Sequence, residues 1–201
     1  MALYETVRCF VGLNLYIAGV RRVVEVMGQA RPLPGSAALR WVVPTKLHVT
    51  LKFWGEIDRA LVPAIKDALS ALSVGRATPQ LVFSGFSAFP SENAARVLFA
   101  KTEDVGGEAA KLAAAIDEIG EQLGLTRESR RYHPHLTVAR APTALDLRSL
   151  ISRVPAWRVS VGASEMVLYR SDTASAGSEY EALGRFSLGS RAPLKAPATH
   201  G

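Results

Sequence analysis

The sequence predicts an α+β fold made of two related lobes, and three observations carry that expectation. Strand-like and helix-like stretches follow a strand-helix-strand order in each half, and in both halves the helix leads toward a strand bearing an H-x-T triplet. The triplets, His48-Val49-Thr50 and His135-Leu136-Thr137, sit in matching apolar surroundings. The chain has 201 residues, 48% of them apolar, enough for one good-sized core or two small lobes that share one.

Each element has its own local signal. Thr6 to Leu15 mixes alternation with β-branched and aromatic residues and reads as a strand. From Tyr16 to Ala30, Ile17, Val20, Val23, Val24 and Met27 recur at helical spacing before RPLPG stops the helix. Leu39 to Gly55 reads as two extended pieces parted at Pro44, the second bearing the first triplet. Asp58 is the N-cap expected for a helix to about Leu72, with Leu61, Ile65, Ala68, Leu69 and Leu72 on one face and Pro63 in the first turns.

In the second half, Gln80 to Phe89 and Arg96 to Thr102 read as a hairpin turning through Pro90, Ser91, Glu92 and Asn93. Val105 to Leu123 carries the clearest helical spacing, through Ala109, Leu112, Ala113, Ile116, Ile119 and Leu123, with Gly124 as a stop. The basic loop RESRRYHPHLTVAR then enters a strand. Asp146 caps a short helix through Val154, and Trp157 to Arg170 and Glu179 to Leu188 read as the last strands, separated by Ser171 to Ser178. Residues 1 to 189 are expected to form one bilobal unit, with a flexible tail from Ser190 that lacks large apolar residues.

Composition narrows the function classes. No run of about eighteen uncharged apolar residues occurs, and MALYETVRCF lacks the layout of a secretory signal, so a cytoplasmic, membrane-free protein is expected. The single Cys9 excludes an internal disulfide and any CxxC chemistry, and its apolar surroundings mark it as a core thiol. A net charge of +6 favours the approach of phosphate-bearing partners, although a solvated arginine face would give the same number.

In a strand, residues two apart share a face, so His48 projects with Thr50 and His135 with Thr137. Each triplet is then half of a phosphate site. Displacement at phosphorus needs a base for the attacking water and an acid for the departing oxygen, and imidazole titrates close enough to neutrality for either. Thr50 and Thr137 can donate hydrogen bonds to non-bridging oxygens, and Arg140 can add a charged fork. A single His beside a Thr is commonplace, and it is the recurrence among only four histidines that points to a site.

His133 makes His-Pro-His with His135, but no third ligand follows at metal spacing, so no metal is expected and His133 reads as a rim residue. His200 in the tail is expected to be inert. Arg127, Arg130 and Arg131 precede the second triplet, and Tyr132 can stack on a base or ribose; a solvated basic loop is an equal reading of this cluster.

These motifs resemble the 2H phosphoesterase superfamily, and within it the RNA 2',3'-cyclic phosphodiesterases once called 2'-5' RNA ligases. The resemblance rests on VRCFVG at 7 to 12, LHVTLKFWG at 47 to 55, HPHLTVAR at 133 to 140 and LYRSDTASAGSEYEAL at 168 to 183. It implies two pseudosymmetric lobes, each an antiparallel sheet packed on helices, with the active-site cleft between them. By the same resemblance His48 is the proton donor and His135 the proton acceptor. Thr50, Thr137 and Arg140 hold the phosphate, and Phe10 and Tyr132 line the nucleoside side. Trp54 stands where a leucine is usual.

The function so implied is hydrolysis of terminal 2',3'-cyclic phosphates of RNA to 2'-phosphates, with reverse 2'-5' ligation detectable and no metal or nucleotide cofactor. RNA ends or small cyclic nucleotides are the expected partners of a monomer. The alternatives are another 2H activity, on ADP-ribose cyclic phosphate or 2'-5' oligonucleotides, a non-catalytic RNA-end binding module, or purely structural histidines.

Overall fold

A computed structural model describes residues 5–174 and 177–189. The expected tail and His200 lie outside the described residues. The strands are β1 (Thr6–Leu15), β2 (Arg40–Trp41), β3 (His48–Asp58), β4 (Gln80–Phe89), β5 (Ala95–Val105), β6 (His135–Leu145), β7 (Arg158–Ala174) and β8 (Gly177–Ser187). The helices are α1 (Ile17–Ala30), α2 (Val62–Ser73), α3 (Glu108–Gln122) and α4 (Arg148–Arg153). Short 3-10 turns at Pro44–Lys46 and Arg59–Leu61 lead into β3 and α2.

All pairings are antiparallel and follow the order β1-β3-β6-β5-β4-β7-β8, while β7 also pairs with β1 and β2 with β6. The path from β1 through β3, β6, β5 and β4 to β7 therefore returns to β1. One long strand makes that closure, because Arg158–Gly162 pair with β4 and Ala163–Arg170 pair with β1. The two halves use the same plan. In one, β1 and β3 are neighbours linked through α1; in the other, β5 and β6 are neighbours linked through α3. The fold is the α+β arrangement of two related lobes expected from the element order.

Apolar residues of both halves form one buried cluster, including Leu13, Val49, Phe83, Leu98, Ile116 and Leu136. Helix α1 turns Val23, Val26, Met27 and Ala30 inward, whereas Ile17 at its start, expected to belong to the apolar stripe, is 83% exposed. Gly19 lets this helix approach β7, since a Cβ there would lie 2.5 Å from Val161. Gly120 serves α3 in the same way: Trp54 occupies the space where its Cβ would be, with Nε1 only 2.6 Å from that point. A tryptophan at position 54 is thus accommodated by a glycine on the helix above it.

Three boundaries differ from the sequence-based expectation. Strand β5 runs on to Val105, and Gly106 and Gly107 at φ +83° and +74° break the chain before α3 begins at Glu108. The Asp104 carboxylate accepts hydrogen bonds from the N–H groups of Ala109 and Ala110, so the cap is supplied from the preceding strand. Asp58 does cap, through a 2.9 Å bond from the Ala60 N–H, but what it caps is the 3-10 turn before α2. The stretch Ser171 to Ser178, expected as a separator, is mostly strand, with Ser171 opposite Tyr180 and Ala174 opposite Gly177. Hairpin pairing overrides weak local β propensity there.

The basic loop after α3 is held by one internal ion pair. Lys52 is 7% exposed; its ammonium donates to the Asp117 carboxylate and to the Thr126 carbonyl at 3.3 Å. Asp117 also accepts the Glu128 N–H at 3.1 Å and lies 3.6 Å from Arg127. Burial pushes the Asp117 carboxyl upward, but hydrogen bonds from Lys52 and Glu128 and the charges of Lys52 and Arg127 outweigh it and hold it below the usual carboxylate range. Removing one partner of such a pair leaves a buried charge uncompensated. Asp117→Ala is therefore expected to lower unfolding free energy by about 3 kcal/mol, measured by urea denaturation at pH 7. A loss below about 0.5 kcal/mol would show that the pair contributes little.

Candidate active site

The two H-x-T triplets meet at a single point. The only register pair between β3 and β6 joins Val49 to Leu136, the middle residues of the two triplets, and both side chains are fully buried. Since side chains alternate across a strand, His48 and Thr50 on one side of this pair and His135 and Thr137 on the other are turned to the opposite face. Their convergence shows in the electrostatics. The positive charge of Arg140 depresses the basicity of both imidazoles, and His135 acts on His48.

Each imidazole is oriented by the backbone two residues before it. His48 Nδ1 lies 2.8 Å from the Lys46 carbonyl, and His135 Nδ1 lies 2.9 Å from the His133 carbonyl. A carbonyl only accepts, so Nδ1 carries the hydrogen in both rings and Nε2 is left to exchange a proton. The role of His133 here is its carbonyl; its exposed ring stands edge-on to Phe89 at 6.1 Å.

Aromatic rings seat the two histidines in parallel fashion. Phe10 lies under His48 at 5.0 Å and stacks on Tyr169 at 4.9 Å, with Tyr180 edge-on to His48 at 5.4 Å. Phe89 and Phe99 stack at 4.2 Å, and both present an edge or face to His135, at 5.2 and 5.7 Å. Gly12 is opposite Thr50, and a Cβ on it would come within 3.1 Å of His48 Cδ2, so the glycine leaves room for the imidazole. Tyr169, Tyr180, Phe89 and Phe99 escaped the sequence reading because they belong to four other strands, and no local spacing relates them to the triplets.

A bulge brings Arg140 to the site. Arg140 is three residues beyond Thr137, and strict alternation would place the two on opposite faces. Thr137 is opposite Phe99 while Ala139 is opposite Leu98, so Val138 is an extra residue and Arg140, opposite Val97, returns to the histidine face. The same device operates in β3. Thr50 is opposite Gly12 and Lys52 opposite Val11, so Leu51 is extra; Lys52 turns to the interior and Phe53, opposite Phe10, joins the histidine face. Lys52 and Phe53 are thus the reverse of what plain alternation from His48 predicts.

Of the expected nucleoside-side residues, Phe10 is 3% exposed and supports His48 from below, while Tyr132 is half-buried and lines a groove. The Tyr132 hydroxyl donates to the Thr50 carbonyl at 3.2 Å, tying the basic loop to β3, and burial pushes its phenol above the ordinary range. The groove has a volume of about 810 Å³ and runs past Thr50, Phe53, Tyr132, Arg131 and His135. In the basic loop, Arg127 pairs with Glu121 at 3.0 Å and Arg130 with Glu128 at 2.9 Å, so part of its charge is internally compensated. Among the described residues no three His, Cys, Asp or Glu side chains group to hold a metal. Cys9 is fully buried, its thiol pushed up to about 11 by burial.

Burial is the main cause that lowers the His48 pKa to about 4, opposed by the Lys46 carbonyl and reinforced by Arg140 and His135; His135 is lowered too, again chiefly by burial. An imidazole with a depressed folded-state pKa is protonated first in the unfolded chain, so stability decreases as the pH falls from 6.5 toward 4. For His48 this amounts to roughly 2 kcal/mol between pH 7 and pH 5. Urea unfolding of wild type and His48→Gln at the two pH values is expected to show that difference, with the wild type more acid-sensitive. Equal acid sensitivity of the two proteins would mean that His48 is not held neutral by the fold.

With this geometry in place, comparison with known proteins gives a consistent result. Residues 19–99 match the family model described as LigT like Phosphoesterase. A protein of Methanothermobacter thermautotrophicus named RNA 2',3'-cyclic phosphodiesterase is 30% identical over 156 residues, covering 76% of this chain and 84% of that one. A protein of the same name from Aeropyrum pernix is 27% identical over 113 residues, a match covering 56% of this chain and 63% of the relative. A crystal structure of a Thermus thermophilus protein superposes with a TM-score of 0.75 at 28% identity, covering 90% of this chain and 97% of that one. Together with the paired H-x-T strands, these matches show that the chain belongs to the LigT-like family of 2H phosphoesterases.

Proposed function

We propose that this protein opens terminal 2',3'-cyclic phosphates of RNA by metal-free acid-base catalysis, leaving a 2'-phosphate and a 3'-hydroxyl. The observation that carries the reading is the pair of imidazoles, each locked with Nδ1–H on a backbone carbonyl and Nε2 free, on strands that meet at Val49 and Leu136. A binding module needs donors for an anion, but has no use for two matched titratable groups. The relatives named RNA 2',3'-cyclic phosphodiesterase supply the substrate class.

In this reading Thr50, Thr137 and Arg140 hold the non-bridging oxygens, and Arg140 compensates charge that accumulates as the fifth bond to phosphorus forms. His135 Nε2 takes a proton from the attacking water. His48, protonated on Nε2, gives its proton to the 3'-oxygen as the P–O bond breaks. The free site holds both imidazoles largely neutral at pH 7, and the negative charge of the phosphate beside them favours uptake of the one proton the donor needs. The same step with a 5'-hydroxyl in the place of water is 2'-5' ligation: His135 takes the hydroxyl proton, the P–O5' bond forms, the P–O3' bond breaks and His48 protonates the 3'-oxygen. The partners are then RNA ends or small cyclic nucleotides bound by a monomer.

Turnover of an oligoribonucleotide ending in a 2',3'-cyclic phosphate, followed in EDTA, tests the assignment. His48→Ala and His135→Ala are each expected to lose about 100-fold or more in kcat, with wild type unaffected by the chelator. Full turnover by either variant refutes the paired mechanism, and loss of wild-type activity in EDTA refutes its metal-free character.

The pH profile is a separate test. The singly protonated pair is most populated between two macroscopic pKa values, both lowered from 6.5. The maximum of kcat/KM is therefore expected below pH 6.5, and that of kcat at higher pH because the bound anion raises the donor. A kcat/KM that climbs steadily through about pH 8 would contradict this.

A further inference from the structure

The residues paired with the two histidines continue across the sheet as two corresponding rows of opposite character. From His135 on β6 the register runs to Lys101 on β5, Ser84 on β4 and Arg158 on β7. From His48 on β3 it runs to Asn14 on β1, Glu165 on β7 and Ser187 on β8. Residues directly opposite on neighbouring strands share a face, so each row stands on the face of its histidine. One row carries two cations and a hydroxyl; the other carries a carboxylate.

The acidic row is closed on itself. The Glu165 side chain is 20% exposed and accepts hydrogen bonds from Asn14, at 2.8 Å, and from Arg185. The basic row is open: Lys101 and Arg158 are exposed and Ser84 is half-buried. Among the described residues no hydrogen bond or ion pair holds the Lys101 ammonium. Its stem passes over Gly85, where a Cβ would come within 3.9 Å of Cε. Arg158 pairs with Glu103 at 2.8 Å, but the two side chains are 65% and 59% exposed. So open an ion pair holds its arginine weakly, and a phosphate offers the guanidinium a two-pronged acceptor in exchange.

We infer that Lys101, Ser84 and Arg158 form a track for the phosphodiester backbone of single-stranded RNA on the 5' side of the cyclic phosphate; this rests on the function proposed above. Neighbouring strands lie about 4.8 Å apart, so Lys101 is one step from His135 and Arg158 is about 14 Å from it. That span accommodates successive phosphates of one strand, beyond the phosphate held between the histidines. All three groups donate hydrogen bonds, two are cations and none is aromatic. The row therefore holds backbone rather than bases, and adds affinity without sequence preference. The carboxylate in the row beside His48 repels the same backbone, which fixes the side of the cleft by which the chain leaves.

The experiment compares a tetra-adenylate ending in a 2',3'-cyclic phosphate with adenosine 2',3'-cyclic phosphate. The proteins are wild type, Lys101→Ala, Arg158→Ala, the double variant, Lys101→Arg and, as a control off the row, Arg153→Ala on α4. The readout is the ratio of kcat/KM for the two substrates across a salt series, with the circular dichroism melt confirming the fold. Wild type is expected to favour the tetranucleotide, mostly through KM. Two phosphate contacts on a single strand make that preference fall about 7-fold between about 50 and 200 mM salt. Each single alanine variant is expected to lower the logarithmic salt slope by about 0.7 and the double variant to abolish it. Lys101→Arg and Arg153→Ala are expected to preserve the ratio.

A ratio and salt slope unchanged in the double variant overturn the track, as does a wild type that does not distinguish the substrates. A loss in Arg153→Ala as large as in Arg158→Ala overturns it too, because net charge rather than the row then sets the preference. A loss seen only in ligation, and dependent on the strand that supplies the 5'-hydroxyl, overturns the assignment to the chain bearing the cyclic phosphate. A wild type that turns over neither substrate overturns the proposed function itself and is thus separable from the other outcomes.

Discussion

The contact on which this architecture depends is the backbone pairing of Val49 with Leu136 at the centre of the molecule. It is the single register pair that joins the motif strands of the two halves. Because it involves the middle residue of each triplet, the alternation of the strands turns two histidines and two threonines to the same side. The apolar side chains of the pair are sealed in the core, so the geometry that brings the two triplets together and the burial that stabilises the sheet arise from one arrangement. The return of β7 to β1 closes the path of pairings around it.

From this pairing outward, irregularities of the strands do as much as their regular parts. Extra residues at Leu51 and Val138 change which side chains reach the cleft. The first sends Lys52 inward to Asp117 and releases Phe53 to the histidine face; the second returns Arg140 to the histidines. A strand without these bulges would place an arginine in the core and a lysine in the cleft. The bulges occur at corresponding positions, one after each threonine, so the pseudosymmetry extends to the departures from ideal geometry.

The electrostatics follow from the same layout. Both histidines are half-buried, seated on aromatic rings and share a nearby arginine, so each is drawn toward its neutral form with Nε2 unprotonated. An anion placed between them reverses part of that bias. The surrounding loop is ordered by Lys52, Asp117 and Tyr132, none of which carries out the chemistry. Two of its arginines, Arg127 and Arg130, are partly neutralised by Glu121 and Glu128, and Arg140 on β6 acts on both imidazoles.

Much of this was legible in the sequence because it is local. Apolar spacing located the four helices and most strands, alternation paired each histidine with its threonine, and the recurrence of the triplet, with the family resemblance, pointed to the phosphoesterase family. The limits of α3 and of the β7–β8 hairpin were not legible, because the Gly106–Gly107 break and hairpin pairing override local propensity. Nor were Tyr169, Tyr180, Phe89 and Phe99, which reach the histidines from strands distant in sequence. The faces of Lys52 and Phe53 depend on a bulge, and a bulge exists only relative to a partner strand. Sequence by itself determined which imidazole, hydroxyl and guanidinium groups lie at strand spacing around the triplets; tertiary structure alone decided which of them share a face, because register is a property of two strands together.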